Sequence, residues 1–218
     1  MTTRDSILAA VRAGLGGRRA EPDAIAAEAA GLLADPDSIR PRLAALNLVD
    51  AFEIKAAALG TTIERVRDLD DVPAAVGRYL AASGLPSSAA VQQTPVLAGL
   101  SWEAIALDAA AAPDQPAAVG LARWGIAESG SIVIHSAPDS PILLAFLPLH
   151  HIVVLHASSI VAHLEDYASF LDSGGSQPRN AILITGPSGT TDIEGSYVRG
   201  AHGPGFVHVI LVDDRSRA

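Results

Sequence analysis

The residues best equipped for chemistry lie in two short runs of glycine and hydroxyl side chains in the second half of the chain. The first, Gly186-Pro187-Ser188-Gly189-Thr190-Thr191-Asp192-Ile193-Glu194, follows the apolar run Ala181–Ile184, and six glycines fall between Gly186 and Gly205. That density of glycine suits a strand end where the backbone turns sharply or approaches something closely. At the carboxyl edge of an open sheet, such a junction is the usual place for a ligand. Thr191 and Glu194 have the spacing of a capping box. A helix beginning there would expose amides able to hold an anion, with the hydroxyls of Ser188 and Thr190 as further donors. Asp192 and Glu194 would favour the helix dipole yet repel a phosphate placed too close. A glycine-rich turn plus a capped helix with no ligand fits the same residues equally well. The run is neither GxxxxGK[ST] nor GxGxxG.

The second run is Gly125-Ile126-Ala127-Glu128-Ser129-Gly130-Ser131, leading into the apolar residues Ile132–Ile134. A carboxylate in a turn of small residues either anchors the turn by hydrogen bonds or acts as a catalytic base or nucleophile. Glu128 is the candidate for either role, with Ser129, Gly130 and Ser131 beside it. All seven histidines lie between His135 and His208. Their spacings do not match a metal site, since His150 and His151 would point to opposite faces of a strand and HExxH is absent. No metal is expected. His202 is set among Gly200, Gly203 and Gly205 at the entrance to the last strand, as a general base, an anion donor or a tie between loops. Ser188 does not sit in a GxSxG elbow, so it is not read as a nucleophile.

Composition bounds these readings. The chain has 218 residues, 15 Lys+Arg against 24 Asp+Glu, and a net charge of −9. No basic cluster is dense enough to neutralise nucleic acid. There is no cysteine, so these residues cannot ligate an iron–sulfur cluster, form a disulfide or use a thiol nucleophile. The first residues lack the apolar core of a signal peptide, and no run approaches the roughly 18–20 apolar residues of a membrane span. The expectation is a soluble, cytoplasmic protein.

The elements that must position these runs alternate. Helices are expected over 4–15, 38–59 and 71–82, with Gly60 as the residue just past the second. Residues 18–37 read as a connection that is helical in part. Strands are expected at 61–66, 89–92, 117–122, 131–134, 151–155, 181–185 and 207–212, and helices at 140–147 and 158–171. This pattern predicts an α/β protein: a three-layer, mostly parallel sheet flanked by helices, with 151–155, a helix and 181–185 forming one βαβ unit. The organisation is a single domain overall, in which a helical N-terminal segment, 1–60, packs on an α/β domain over 61–218.

Four ordered motifs then match a known family. Trp124–Val133, WGIAESGSIV, resembles its xGIAETGTLV segment; Leu143–Val154, LLAFLPLHHIVV, resembles LLPxxHIVVV; Gly186–Glu194 resembles GPSRTADIE; and Gly200–Pro204 resembles GVHGP. The chain is identified on these as similar to lactate utilisation protein C, the LUD-domain family. The resemblance implies a fold like that of sugar-phosphate isomerases, CoA transferases and formyltetrahydrofolate cyclo-ligase. It implies a role in oxidising L-lactate to pyruvate beside two iron–sulfur partner proteins, as a component of a complex rather than a complete enzyme. It brings no settled catalytic set. From motif position, Glu128 and His202 are the catalytic candidates. Ser129, Gly130, Ser131, Gly186, Ser188, Gly189, Thr190, Thr191, Asp192, Glu194, Gly200 and Gly203 are candidates for binding a small anionic or nucleotide-bearing ligand. Gly189 departs from the family's basic residue, leaving Arg199 and Arg123 as the nearest cations. A stand-alone acyl- or phosphoanhydride-using enzyme and a regulatory or scaffold protein are the alternatives. No flavin or nicotinamide fingerprint is present, so the cofactor is unknown, and self-association is open.

Overall fold

The structure is a computed structural model. It describes residues 2–15, 21–35, 38–45, 47–108, 112–113, 115–173, 177–191 and 195–213. Two compact units divide the chain, Met1–Pro41 and Arg42–Ala218. The first holds two helices, α1 (Thr3–Gly14) and α2 (Pro22–Leu33). A capping box between Thr2 and Asp5 starts α1, and Pro22 in its first turn starts α2. The second helix lies within the stretch expected to be largely a connection.

In the larger unit, α3 (Leu48–Ala58) is followed by β1 (Thr62–Val66), α4 (Val72–Ala82), β2 (Ser88–Val91), α5 (Pro95–Ala98), β3 (Ala106–Asp108) and β4 (Ala117–Leu121). Then come β5 (Trp124–Ile126), β6 (Ser131–His135), β7 (His150–His156), β8 (Ile160–Val161), α6 (Leu164–Ser173), β9 (Ala181–Ile184), β10 (Gly189–Thr191), β11 (Tyr197–Arg199) and β12 (Phe206–Val212). Residues 142–145, expected as a helix, form one 3₁₀ turn. The start of the expected 158–171 helix is a 3₁₀ turn, Ala157–Ser159, followed by β8. Asn47 accepts from the Val49 amide, which places the start of α3 there rather than at residue 38.

Six strands, in the order β1-β12-β7-β4-β2-β3, form one all-parallel sheet. Its central strands are apolar on both faces, as a sheet covered on both sides requires. In β7, Ile152 and Val154 face α4, α5 and Trp102, while Val153 and Leu155 face α3 and its neighbours. This is the expected α/β class, with a mostly parallel sheet between helices. Arg65 on β1 reaches Asp50 and Glu53 on α3 at 2.7 and 2.5 Å, tying sheet edge to helix at the surface.

One expectation is corrected. The strand 181–185 does not join 151–155 in a parallel βαβ unit. It is β9 of a second, four-stranded sheet, ordered β8-β5-β6-β9, and it runs antiparallel to β6. Its side chains alternate between exposed and half-buried, whereas those of β7 are buried through six residues. The small sheet packs on α3 and the main sheet through Ile132, Leu155, Ile160 and Phe52. Its outer face holds Ile126 and Val133, which pack with Tyr167 of α6.

Candidate functional site

Each motif residue is placed by a specific contact. Gly130 closes the turn between β5 and β6 with φ +67°, and its amide donates to the Ile126 carbonyl at 2.9 Å. A Cβ there would collide with the α3 backbone at Lys55 and Ala56. Only glycine lets this turn lie so close on the helix. Gly186, with φ +84°, lies about one turn further along, against the C-terminal end of α3, where a Cβ would stand 2.9 Å from the Leu59 carbonyl oxygen. Between the two glycines runs a chain of hydroxyls. Ser129 Oγ and Ser131 Oγ are 2.7 Å apart, and Ser131 Oγ and Thr185 Oγ1 also 2.7 Å. Antiparallel pairing of β6 with β9 brings the two runs together.

Glu128 turns away from this chain. Its Oε1 accepts the Leu164 amide at 2.8 Å and its Oε2 lies 2.9 Å from His163 Nδ1. The carboxylate therefore caps the first turn of α6 and is largely buried while doing so. The Glu128 amide bonds the Ala162 carbonyl at 3.0 Å, which fixes the residue beside β8. Both of its oxygens are engaged by the protein, as the anchor reading requires.

Gly189–Thr191 is β10, paired antiparallel with Tyr197–Arg199, so Thr191 lies at the end of a strand. Asp192 and Glu194 lie outside the described residues. The Tyr197 ring covers Gly189, and a Cβ there would stand 2.6 Å from its Cζ. An aromatic ring thus fills the space from which the family's basic side chain would leave the backbone.

The glycine-rich run then meets the last motif. The Ser188 amide donates to the Pro204 carbonyl at 2.8 Å, and the Gly200 amide to the Ser188 carbonyl at 2.9 Å. Gly203 lies beside Ser188, and Gly200 beside Gly205 and Leu149. His202 is exposed between them. These two amides, the obvious cradle for an anion, are spent on backbone. Side-chain donors on this face are Ser188, Thr190 and His202.

This loop cluster lies at the amino edge of the parallel sheet, where β1, β7 and β12 begin, and not at the carboxyl edge expected of it. Beneath it the ring of His208 stacks on Tyr79 at 4.2 Å and that of His150 on Phe206 at 4.3 Å. Tyr79 Oη and His150 Nδ1 share a hydrogen bond of 2.9 Å, and Thr62 Oγ1 and His208 Nδ1 one of 2.8 Å. Burial lowers the His150 pKa and brings that of His208 down to about 4, against a smaller opposing pull from Glu64. Both rings are thus neutral donors or acceptors near pH 7. The Arg199 guanidinium lies 4.9 Å over Phe206. These contacts enclose a recess of about 300 Å³ between Thr62, Tyr79, His150 and Phe206. Sequence reading missed the ladder because Tyr79 lies 71 residues from His150. The one local signal was histidine at the start of two apolar strands.

Residues 116–212 match the family model described as LUD domain. This stretch, less than half of the chain, is similar to a LUD domain. It is similar to lactate utilization protein C of Bacillus pumilus, 37% identical over 100 residues, 44% of this chain and 42% of that protein. The corresponding protein of Bacillus subtilis is 36% identical over 94 residues, 41% of this chain and 39% of that one. The uncharacterized protein YkgG of Escherichia coli is 33% identical over 106 residues, 46% of each chain. Each of these matches spans less than half of the relative's length. Among solved structures, a DUF162 family protein from Deinococcus radiodurans aligns with TM-score 0.50 and 18% identity, over 76% of this chain and 96% of that one. That likeness shows the fold. The matched stretch takes in the main-sheet strands β4, β7 and β12, all of the small sheet, and every motif residue above.

Proposed function

We propose that this chain is the component without iron–sulfur clusters of a cytoplasmic system that oxidises L-lactate to pyruvate, acting beside iron–sulfur partner proteins. The observation that carries the reading is the match to the LUD domain, with its four motifs in order and its relatives named for lactate utilisation. The absence of cysteine from these 218 residues supports it: these residues offer no thiolate for a cluster. On this reading a small anionic or nucleotide-bearing ligand meets the glycine-rich face through Ser188, Thr190 and His202. The hydroxyls of Ser129 and Ser131 hold the shape of that face from behind.

The test is deletion of the gene in its own host, followed by growth on L-lactate as sole carbon source and pull-down of the tagged chain. Loss of growth and co-purification of cysteine-rich partners are expected. Unchanged growth on L-lactate would overturn the assignment.

A second reading has its own observation. The amides of Ser188 and Gly200 are spent, while Phe146, Leu149, Tyr197 and Val198 are exposed around them. A face on which several apolar side chains are exposed suits a protein partner. Combined substitution of Ser188, Thr190 and His202 by alanine separates the two readings. Retained partner capture with retained growth favours the docking face.

A further inference from the structure

The carboxyl edge of the parallel sheet, the side away from the glycine-rich loops, carries a cleft of about 460 Å³ that none of the motifs accounts for. It opens where β2 and β4 end and is walled by residues 135–140 and 177–179. Its size falls in the range of small-molecule sites, ~300–1,000 Å³, and its place is the usual one for ligands in open α/β sheets.

The floor is fixed by bonds within the protein. Gln92, 2% exposed, follows β2 directly, and its Oε1 accepts the Leu121 amide at 2.7 Å. Its Nε2 donates to Ser140 Oγ, whose own hydrogen goes to the His135 carbonyl at 2.8 Å. Thr94 Oγ1 accepts the Leu97 amide. These groups give the cleft shape and leave little hydrogen-bonding capacity over.

The rim differs. Arg123 and Arg179 both line the cleft, both are exposed, and neither forms an ion pair with a described residue. By contrast, Arg65 and Arg78 each pair with glutamate. Asp139 is the single carboxylate in the lining. His135 also faces the cleft; its Nε2 shares a 2.9 Å hydrogen bond with Tyr167 Oη. Burial first, and Arg123 second, hold its pKa below the usual histidine value, so it is neutral near pH 7. The lining thus keeps one net positive charge in a chain whose own charge is −9. Pro95, Val96, Leu121, Ala137 and Pro138 supply apolar wall.

We propose that this cleft binds a small monocarboxylate, its carboxylate held by Arg123 and Arg179 and its carbon skeleton against the apolar wall. Guanidinium forks match the two oxygens of a carboxylate and remain charged at every working pH. One net positive charge balances a monoanion, whereas a phosphate dianion would leave the cleft negative. The proposal goes beyond the glycine-rich face and rests on the lactate reading only for the choice of probes.

Isothermal titration of the full chain with L-lactate, pyruvate and inorganic phosphate tests it. Saturable binding of at least one carboxylate is expected, tighter than phosphate and weakened by salt. Arg123→Gln and Arg179→Gln should each weaken it at least about tenfold, with Arg→Lys losing less. Both side chains are exposed, and circular dichroism of each variant confirms that the fold is retained. No saturable carboxylate binding, equal affinity in the double Arg→Gln protein, or tighter binding of phosphate would each overturn the proposal. Growth on L-lactate reads the other assignment separately. A chain required for growth that binds no carboxylate sinks the cleft and leaves the family role standing.

Discussion

At the scale of single residues, His151 is the most exposed to a test of acidity because it is the least exposed to water. It is fully buried on β7, and neither ring nitrogen has a partner among the described residues. Its Nε2 stands 3.0 Å from where a Cβ on Gly120 would lie, with Gln92 Oε1 and Leu144 on the far side of that point. Burial lowers its pKa to about 4. In the unfolded chain the value is ~6.5. Well above pH 6.5 the ring is neutral in both states and adds no pH dependence. As pH falls from there, the unfolded chain takes up a proton that the folded ring refuses. Stability is lost through that window until the folded ring protonates near pH 4, by an amount on the order of 3 kcal/mol. His208, also shifted to about 4, loses stability in the same window. Denaturant melts at pH 7 and pH 5 should therefore show a clear drop for the parent protein. His151→Leu should shrink that drop and match or exceed the parent at pH 7, since it removes two unsatisfied polar atoms at similar volume. A variant much weaker than the parent at pH 7 would show that the ring has a partner it needs.

At the scale of elements, the Glu128 carboxylate is a clamp between the β5–β6 turn and the start of α6. Glu128→Ala removes the acceptor of the Leu164 amide and leaves His163 without its neighbour. A loss of about 1–2 kcal/mol is expected in chemical denaturation. Glu128→Gln keeps an oxygen for that amide and should lose less than half as much. If Glu128→Gln instead abolished a measured activity at full stability, the carboxylate would be chemical and not structural. What the sequence made legible follows the same division between local and distant signals. The apolar runs of β7 and β12 needed only their own residues to be read as buried parallel strands, and Gly60 marked the end of α3 by itself, with φ +89°. The small sheet was not legible in full, because β5 has three residues and β8 two, and β8 pairs with β5 from 35 positions away. The Thr191–Glu194 spacing pointed to a helix because that signal is local. Thr190 pairs with Val198, eight positions on and beyond the reach of that spacing. For the same reason Gln92 and Arg179, 87 positions apart on one cleft, gave no joint signal. Arg123 was visible only as a nearby cation.

At the scale of the whole molecule, the division of the chain makes its own prediction. In α1 no residue is buried, and Ile7, Val11 and Leu15 are all more than half exposed. By contrast α3 is part of the larger unit's core: Ala51, Phe52 and Ala56 are fully buried against Val153, Leu155 and Leu211 of the main sheet. A Cβ at Gly130 would strike the α3 backbone and one at Gly125 would meet Phe52 as well as Leu155, so the small sheet rests on this helix as well as on the main sheet. A chain starting at Arg42 should therefore fold, with a cooperative melt close to that of the parent. A chain starting at residue 61, where sequence composition set the domain boundary, loses the layer between the two sheets. Removal of the Phe52 side chain alone is worth about 3–5 kcal/mol, a large share of the 5–15 kcal/mol that holds a typical domain together. Loss of all of α3 exceeds it, so the shorter chain should be insoluble or lack a cooperative transition. Thermal melts of the two truncated chains, with Phe52→Ala in the parent as the intermediate case, decide the matter. A cooperative melt from the chain starting at 61 would mean that the two sheets hold each other without α3, and that the glycines at 125 and 130 serve something other than that contact.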